Sequence, residues 1–415
     1  MEFIGDFHLH SKYSRATSSQ MVLENLDKWA KIKGITVLGT GDFTHPEWFR
    51  NLKGKLEPAE TGLFKLKDSD SPTRFILTTE ISCVYSKLGR VRKIHILIFA
   101  PDFETVEKIN TQLGWIGNLK ADGRPTLGLD AKELLKIVLE ISEDCLIVPC
   151  HVWTPWYSLF GSRSGFDSIE ECFEDYTKYI YAVETGLSSD PAMNWRLSAL
   201  DNITLISNSD AHSPQKIGRE ANVFDTELNY FSIIETIKKK NPKKFLYTIE
   251  FYPQEGKYHY DGHRNCGISC SPQESKKYNN ICPVCGKPLT IGVLSRVEEL
   301  ADRPEGFKPQ GAIPFRSLIP LKEIIAEILG LGSETKEVDT EYQNLIRRFG
   351  SEFNVLLNVS RQDLEVVTLP EIAEGIIRAR EGKVYIEPGY DGVFGKIRIF
   401  SKGEKKELSR QKTLF

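Results

Sequence analysis

The most constraining feature of this sequence is the alternation, over about its first 210 residues, of short apolar runs with segments of helical periodicity. Such alternation predicts successive strand and helix units that build a parallel sheet or barrel. The strand-like runs lie at residues 3–7, 35–39, 75–79, 94–99, 146–149, 181–183 and 204–207. All but the fourth lead into a residue that can bind a metal, and the fourth carries His95 near its start. Because α/β barrels build their sites at the carboxyl ends of their strands, we expect these side chains to converge.

Imidazoles and carboxylates dominate these strand ends. Of the 8 histidines, six lie at or near a predicted strand end. In extended chain His8 and His10 point to one side, and Asp210 and His212 repeat that spacing. Carboxylates among imidazoles neutralise and bridge divalent ions, which predicts a site for several metals. The candidate metal ligands are His8, His10, Asp42, His45, Glu80, His95, His151, Glu184, Asp210 and His212. For any one histidine, an ordinary core or capping role is the alternative.

The strand-end motifs occur in a fixed order. They are Asp6-Phe7-His8-Leu9-His10-Ser11, Thr40-Gly41-Asp42, Thr79-Glu80, Lys93-Ile94-His95, Pro149-Cys150-His151 and Asn208-Ser209-Asp210-Ala211-His212. This ordered set resembles the PHP (polymerase and histidinol phosphatase) family. The resemblance implies a distorted (β/α)7 barrel that holds up to three zinc or manganese ions, with Glu80 as the bridge between two of them. The sequence departs from the family in its second motif, where the usual adjacent Asp-His is replaced by Asp42 and His45.

Half of the 8 cysteines are clustered in one short segment. They are Cys266, Cys270, Cys282 and Cys285. Two close pairs separated by a loop have the spacing of a tetrahedral zinc site made of four thiolates, which leaves no open position for chemistry. We therefore predict a structural zinc module, with a pair of disulfides as the alternative. His259 and His263 lie just upstream and could replace one of these ligands or contact a phosphate, but a plain surface role suits them equally, so they are not counted as metal ligands.

Composition and charge set broader limits. The chain of 415 residues is 40% hydrophobic and 27% charged, which is typical of a soluble globular protein, and its net charge of -3 gives no overall footprint for nucleic acid. No run approaches the roughly 20 apolar residues of a membrane helix and no leader pattern opens the chain, so a cytoplasmic location is expected. We predict a barrel at residues 1–250, a four-cysteine zinc module at 251–292, a mainly helical DNA-contacting domain at 293–400 and a basic tail at 401–415.

The whole architecture carries a second resemblance. A PHP barrel, the cysteine module and the stretch Gly311-Ala312-Ile313-Pro314-Phe315-Arg316-Ser317 together resemble the archaeal endonuclease Q family. That resemblance implies incision of lesion-bearing DNA on the 5′ side of a deaminated base (uracil, hypoxanthine or xanthine) or of an abasic site. Zinc would occupy the cysteine module and the barrel site, although manganese or magnesium could take its place in the barrel. The alternatives are a small-molecule phosphatase of the histidinol-phosphate type and a non-catalytic DNA-binding scaffold.

Further candidate residues lie outside the strand-end motifs. The insertion after the fifth run is suited to stacking an extruded base, although a self-packed loop is the alternative. Its candidate substrate-binding residues are Trp153, Trp156, Tyr157 and Arg163. Beside Glu80 and Asp210, Asp190 is a catalytic candidate, but an N-cap role suits it equally because Pro191 follows. Residues 411–415, from Gln411 to Phe415, resemble the start of a sliding-clamp-binding motif, with a frayed tail as the alternative.

Overall fold

The computed structural model describes residues 1–401 and 403–404. It shows a mixed α/β barrel, a small module with a Cys and His cluster, and a C-terminal helical region. The strands are β1 Glu2–Asp6, β2 Val37–Gly39, β3 Leu56–Pro58, β4 Phe64–Leu66, β5 Arg74–Lys87, β6 Arg90–Ala100, β7 Thr126–Leu127, β8 Leu146–Pro149, β9 Ala182–Glu184, β10 Thr204–Ile206, β11 Ala221–Asp225, β12 Phe245–Glu250, β13 Asp261–His263, β14 Ile268–Cys270, β15 Phe315–Ser317, β16 Tyr385–Glu387 and β17 Lys396–Arg398. The predicted basic tail and its clamp-binding motif at 411–415 lie outside the described residues, apart from positions 401, 403 and 404.

Helices cover the outside of the barrel and form the C-terminal region. They are α1 Leu23–Lys33, α2 Pro46–Lys55, α3 Phe103–Ile116, α4 Ala131–Ile141, α5 Ile169–Phe173, α6 Pro191–Asn194, α7 Tyr230–Lys238, α8 Pro272–Lys277, α9 Val293–Leu300, α10 Leu321–Leu329, α11 Lys336–Phe349, α12 Glu352–Leu357, α13 Arg361–Val367 and α14 Pro370–Arg380. Within the part of the chain that the structure describes, none of them is long and apolar enough to cross a bilayer.

All seven predicted strands of the barrel are present, as β1, β2, β5, β6, β8, β9 and β10. β1 pairs in parallel with β2, and β2 pairs in parallel with β5. β6 instead runs antiparallel to both β5 and β8. The start of β6, and not its end, therefore lies with the carboxyl ends of the parallel strands, which explains why His95 stands near the start of its run.

Two strands beyond the predicted seven extend the sheet on its other side. β11 lies between β1 and β12 and runs antiparallel to each of them. β12 is therefore parallel to β1, and the chain leaves both strands at the same end of the barrel, which we call the mouth. β12 also pairs in parallel with β15, which returns from the C-terminal region to the barrel sheet.

Local sequence explains why the outer helices form and how they dock. α1 buries Leu23, Leu26 and Ala30, which share one face at helical spacing, and it ends at Gly34 in the left-handed conformation (φ +86°). Lys33 at the end of α1 makes a buried ion pair of 2.7 Å with Glu352 on α12. The C-terminal helices are thereby joined to the barrel by a charge pair as well as by apolar packing.

Candidate metal centre

Four of the predicted ligands meet at the mouth of the barrel. His8, His10, Glu80 and Asp210 each offer one ligand atom, and these atoms lie within 4.8 Å of one another. Nε2 of His10 is 3.2 Å from Oε2 of Glu80 and 3.1 Å from Oδ1 of Asp210. Nε2 of His8 is 3.5 Å and 3.7 Å from the same two oxygens. Residues more than 200 positions apart in the chain thus form one compact cluster, which we call the first cluster.

A second cluster shares Glu80 with the first. Nδ1 of His95 lies 2.7 Å from Oε1 of Glu80, and Nε2 of His151 lies 3.2 Å from the same oxygen. Burial lowers the pKa of His95 to about 4, so its ring stays neutral and available as a ligand at neutral pH. Oε2 of Glu80 faces the first cluster and Oε1 faces the second, so this carboxylate could offer one oxygen to an ion in each.

The first cluster has the properties of a cation site. Nε2 of His8, Nε2 of His10 and Oδ1 of Asp210 are buried and lack a hydrogen-bond partner among the described residues. Buried polar atoms without partners are costly and rare, yet here three of them converge. Imidazole nitrogens and carboxylate oxygens are also the donors that zinc and manganese accept. The residues present therefore fit a divalent metal ion.

Asp42 was predicted as a metal ligand, but in the structure it contacts the far side of the His10 ring and not the cluster itself. Its Oδ1 accepts a hydrogen bond of 3.0 Å from Nδ1 of His10. Its Oδ2 accepts from the backbone N–H of Ser11 at 2.6 Å and from the hydroxyl of Ser14 at 2.8 Å. These donors occupy the carboxylate, so Asp42 orients the His10 ring and directs its Nε2 to the cluster. Such supporting carboxylates are common around metal-binding histidines.

Glu184 plays the same part for His8. The Nδ1 atom of His8 is 3.0 Å from both oxygens of Glu184. The carboxylate also accepts from the side-chain amide of Asn208 at 2.9 Å and from the backbone N–H of His151 at 2.9 Å. Burial alone would lower the pKa of His8, but Glu184 and the other nearby carboxylates raise it well above its ordinary value. Asn208 follows β10 and opens the last strand-end motif, but no role of its own was predicted for it.

Two other predicted ligands belong to neither cluster. Nδ1 of His212 is 2.8 Å from the carbonyl oxygen of Asp210, and its ring packs on that of His10 with 4.6 Å between centroids. His45 begins α2 and stacks on Tyr13 with 4.4 Å between ring centroids. His45 is the N-cap residue of α2, three positions beyond Asp42, and its ring is stacked on Tyr13 and lies in neither cluster.

Asp190 was a catalytic candidate with an N-cap role as the alternative, and the structure shows the N-cap. Its Oδ1 accepts a hydrogen bond of 2.9 Å from the backbone N–H of Met193 at the start of α6. Asp190 belongs to neither cluster. Pro191 at the first helical position, noted from the sequence, was the signal that favoured this outcome.

Arg124 is a site residue that sequence reasoning missed. Its Nη1 lies 3.1 Å from Oε2 of Glu80, and 27% of its side chain is exposed. Although burial opposes its charge, Glu80 and Asp210 hold the pKa of Arg124 above its ordinary value. The preceding Gly123 allows this approach, since a Cβ there would lie 2.2 Å from Oδ2 of Asp42. No local signal marks one arginine in a loop as part of a site.

The four predicted substrate-binding residues differ in exposure. Tyr157 packs on the ring of His95 with 4.7 Å between centroids, and its carbonyl accepts from the backbone N–H of His95 at 3.1 Å. Trp156 is half exposed and Arg163 is exposed. Trp153, by contrast, is buried, and its Nε1 donates to Asn194 at 2.8 Å. The prediction of substrate contact is therefore wrong for Trp153, whose ring belongs to the packed core of the insertion.

The cysteine module has a ligand set different from the predicted one. The groups within 4.8 Å of one another are His263, Cys266, Cys282 and Cys285, and Cys270 is not among them. In the hairpin of β13 and β14, His263 pairs with Ile268 at the turn, whereas Cys270 pairs with Asp261. Two residues of strand place Cys270 about 7 Å from that end, out of the cluster. His263 was considered from the sequence only as a possible substitute ligand; the signal that favours it is the His263-x2-Cys266 spacing, which mirrors that of Cys282 and Cys285.

Backbone geometry prepares the second half of this module for a metal. Burial opposes ionisation of Cys282, but the backbone N–H groups of Cys285 and Val284 lower the pKa of this thiol to about 6. Nδ1 of His263 lies 3.4 Å from Sγ of Cys285. Gly286 takes up a positive φ of +73°, which closes the turn and lets its N–H donate to the carbonyl of Cys282 at 2.9 Å. A thiolate at neutral pH is the form that binds metal.

Comparisons with known proteins cover both the barrel and the C-terminal region. The family described as MJ0043 C-terminal domain matches residues 320–383, which hold α10 to α14. An uncharacterized protein of Methanocaldococcus jannaschii, MJ0043, is 36% identical over 321 residues, or 73% of this chain. The match spans only 39% of that longer relative.

Two solved structures are similar along nearly the whole chain. The lesion-specific endonuclease PfuEndoQ of Pyrococcus furiosus superposes with a TM-score of 0.86 at 34% identity, and the match covers 96% of this chain and 95% of that one. Endonuclease Q in complex with a 27-mer duplex that carries an abasic lesion at the active site superposes with a TM-score of 0.84 at 34% identity, covering 97% and 98%.

Proposed function

Because this chain belongs to the endonuclease Q family, we propose that it is a metal-dependent DNA repair endonuclease. It nicks the phosphodiester bond on the 5′ side of a deaminated base, which is uracil, hypoxanthine or xanthine, or of an abasic site. The observation that carries the proposal is the pair of clusters joined by Glu80 at the mouth of the barrel. A clamp partner at residues 411–415 finds no support in the relatives and is not part of the proposal.

The ligand assignment follows from the two clusters. His8, His10, Glu80 and Asp210 would hold one divalent ion, and Glu80, His95 and His151 would hold another. We assign zinc, manganese or magnesium to these positions, and zinc to the module of His263 and three cysteines, because thiolates are preferred zinc ligands. In the barrel, a bound divalent ion supplies an activated water and neutralises charge on the phosphodiester.

The protein's own residues prepare the site for an anionic substrate. Asp42 and Glu184 fix the rings of His10 and His8, so that both Nε2 atoms face the cluster. Arg124 reaches the same point from a loop and is part-exposed, so its free N–H groups can hold a nonbridging phosphate oxygen. Its guanidinium would stabilise the charge that develops as the bond to phosphorus forms and the 3′-oxygen leaves.

Lesion recognition is assigned to the insertion that follows β8. Tyr157 lies against His95 of the second cluster, and Trp156 is exposed beside it. Aromatic faces next to the reacting phosphate suit a base that has been turned out of the duplex, which costs least at a mispaired or missing base. We further propose that the helical region within residues 293–400 contacts the DNA beyond the lesion.

An incision assay tests this function. The purified chain, with Mn²⁺ or Mg²⁺, is given end-labelled duplexes with one uracil, one hypoxanthine or one abasic site, an undamaged duplex, and a small phosphate ester. We expect nicks 5′ of each lesion, with a 3′-hydroxyl that a polymerase can extend, and no nick in the undamaged duplex. Phosphate release from the small ester alone would instead identify a phosphatase, and retardation of DNA without incision would identify a binding scaffold.

A further inference from the structure

An exposed aromatic tip projects from the hairpin of β16 and β17. The tip, residues 390–394, connects the two strands and ends in Val393 and Phe394, whose exposed fractions are 40% and 64%. Large apolar side chains exposed together commonly mark a contact surface.

The tip is held in one conformation by its own turn. Asp391 and Gly392 both have positive φ, +41° and +85°, as a two-residue hairpin turn requires. Tyr390 and Val393 exchange backbone hydrogen bonds of 3.0 Å and 2.7 Å across that turn. Phe394 is therefore presented by a tight hairpin, and little conformational entropy is lost when it makes a contact.

Hydrogen bonds from the cysteine module fix the position of the tip. The carboxylate of Asp391 accepts from the backbone N–H of Arg264 at 2.7 Å and from the hydroxyl of Thr290 at 2.6 Å. The backbone N–H of Tyr260 donates to the carbonyl of Gly389 at 2.9 Å. These bonds satisfy the acidic group of the tip within the protein and join the tip to the module as one unit.

Three exposed cations border the tip. Nζ of Lys257 lies 4.4 Å from the centroid of the Phe394 ring, and Nη1 of Arg264 would lie 3.3 Å from a Cβ built on Gly392. Lys396 follows the tip by two residues and faces Glu387 across the hairpin. Glu387 pairs instead with Arg398 at 3.4 Å, so among the described residues none of these three cations makes a direct ion pair. An apolar tip bordered by unpaired cations is complementary to bases flanked by phosphates.

The tip is attached on the mouth side of the barrel. β12 is parallel to β1, so the 3₁₀ turn Pro253–Glu255 that follows β12 emerges at the mouth. The carbonyls of Gln254 and Glu255 in that turn accept from the backbone N–H groups of Gly389 and Gly395 at 2.8 Å and 3.0 Å. On the other side of the module, Arg296 of α9 donates to the carbonyl of Phe160, in the insertion that carries Tyr157, at 3.0 Å.

We propose that Phe394 inserts against the stacked bases of the lesion-bearing duplex, while Lys257, Arg264 and Lys396 contact the flanking phosphates. This inference rests on the proposed function and adds to it a second point of contact, away from the metal centre. Apolar wedges of this kind unstack a base step and bend the duplex, which helps to extrude the target nucleotide. The tip acts as a positioning element and does not touch the reacting phosphate.

Phe394→Ala tests the wedge, with Phe231→Ala as the matched control. Phe231 is a phenylalanine with 43% exposure at the start of α7, which follows β11 at the end of the barrel opposite the mouth. Single-turnover nicking of a uracil duplex should fall about 10-fold or more in F394A, as expected for loss of base stacking. Nicking of a uracil single strand, which needs no unstacking of a duplex, should change less. F231A should match the unmodified protein on both substrates.

Binding to a duplex with 2-aminopurine beside an abasic site gives a readout that does not depend on catalysis. In an Asp210→Ala background, binding should raise the fluorescence of 2-aminopurine, and F394A should remove most of that rise while F394W keeps it. Equal rises in the F394A and F231A proteins would overturn the wedge. Failure of the unmodified protein to nick any lesion would refute the proposed function instead, and the fluorescence would still report on the tip.

Salt dependence tests the cationic border separately. Lys257→Ala and Lys396→Ala should each reduce the slope of log affinity against log salt by about 1, since each phosphate contact releases counterions. Lys238→Ala, on α7 at the opposite end of the barrel, serves as the control. Unchanged slopes in both tip variants would remove these lysines from the DNA contact.

Discussion

The two metal-binding regions of this protein are built in opposite ways. The barrel clusters gather imidazoles and carboxylates from the ends of several strands, all of them buried or nearly so, and surround the histidines with hydrogen-bonded carboxylates. The module takes three thiols and one imidazole from a single stretch between His263 and Cys285, and Cys285 is exposed. One site depends on the whole fold, whereas the other depends on a hairpin and a turn.

The difference teaches what each site can do. Four thiolate and imidazole ligands close a tetrahedral shell, so the module can stabilise local structure but offers no position for a substrate. The barrel clusters share the carboxylate of Glu80 and have Arg124 beside it, with part of the arginine still exposed. Such an arrangement leaves room for a phosphodiester, and chemistry is expected there alone.

The largest expected effect separates the two sites by activity. Asp210→Ala removes a ligand of the first cluster and should lower the nicking rate by roughly 10³-fold or more, since a metal contributes several kcal/mol to the transition state. The metal content of the module should stay at one equivalent, measured by mass spectrometry of the purified protein. Full activity in the Asp210→Ala protein would show that the barrel clusters are not the reaction centre.

The second effect tests the ligand set of the module. His263→Ala should weaken metal binding there by about 10²-fold, if the binding energy of a structural zinc site is shared among its four ligands. Cys270→Ser is the matched control and should leave the metal content unchanged, because Cys270 lies outside the cluster. Both affinities are measured by competition with a zinc chelator. If Cys270→Ser weakened metal binding and His263→Ala did not, the ligand set would be the four cysteines.

A smaller effect concerns the carboxylates behind the barrel histidines. Asp42→Asn keeps the shape of the side chain but weakens its hold on Nδ1 of His10, so metal affinity or nicking should fall by about 10- to 100-fold. Isothermal titration of the metal-stripped protein with Mn²⁺ measures the affinity. A loss as large as that of Asp210→Ala would mean that Asp42 is itself a metal ligand.

The smallest expected effect is a difference between the barrel and the cysteine module in how their stability depends on pH. Burial raises the pKa of Glu250, beneath the barrel site, from 4.5 to about 8. The native state therefore binds more protons than the unfolded state between about pH 4.5 and 8, and this contribution to stability is lost as the pH rises through that window. Glu250→Gln keeps the contacts with Thr248 and Thr185 and should raise the melting temperature by a few degrees at pH 8 but not at pH 4.5.

The module should respond to pH in the opposite direction, because its thiolates must be deprotonated to bind metal. Its metal should be released on acidification, while the contribution of Glu250 to barrel stability increases. Thermal melts and metal release followed from pH 4.5 to 8 in the same samples check both trends. Equal pH dependence in the Glu250→Gln and unmodified proteins would contradict the buried, protonated state of Glu250.

Much of the barrel was accessible to prediction because its signals are local. Each of the seven strands follows from a short apolar run, and period-2 spacing places His8 and His10 on one side. The direction of β6 was not accessible, because nothing in a short apolar run distinguishes parallel from antiparallel pairing. Arg124 was missed for a related reason, because a single polar residue in a loop resembles an ordinary surface position until the fold brings it to the site.

The sequence by itself determined the kinds of atoms available for binding metals and their order along the chain, because these depend on residue type and spacing alone. Only the tertiary structure decided which of them point into the same space. Asp42 and Glu184 are hydrogen-bonded to His10 and His8, and His45 lies at the start of α2, outside both clusters. His263 replaces Cys270 because strand register, set by pairing across the hairpin, fixes which side chains meet.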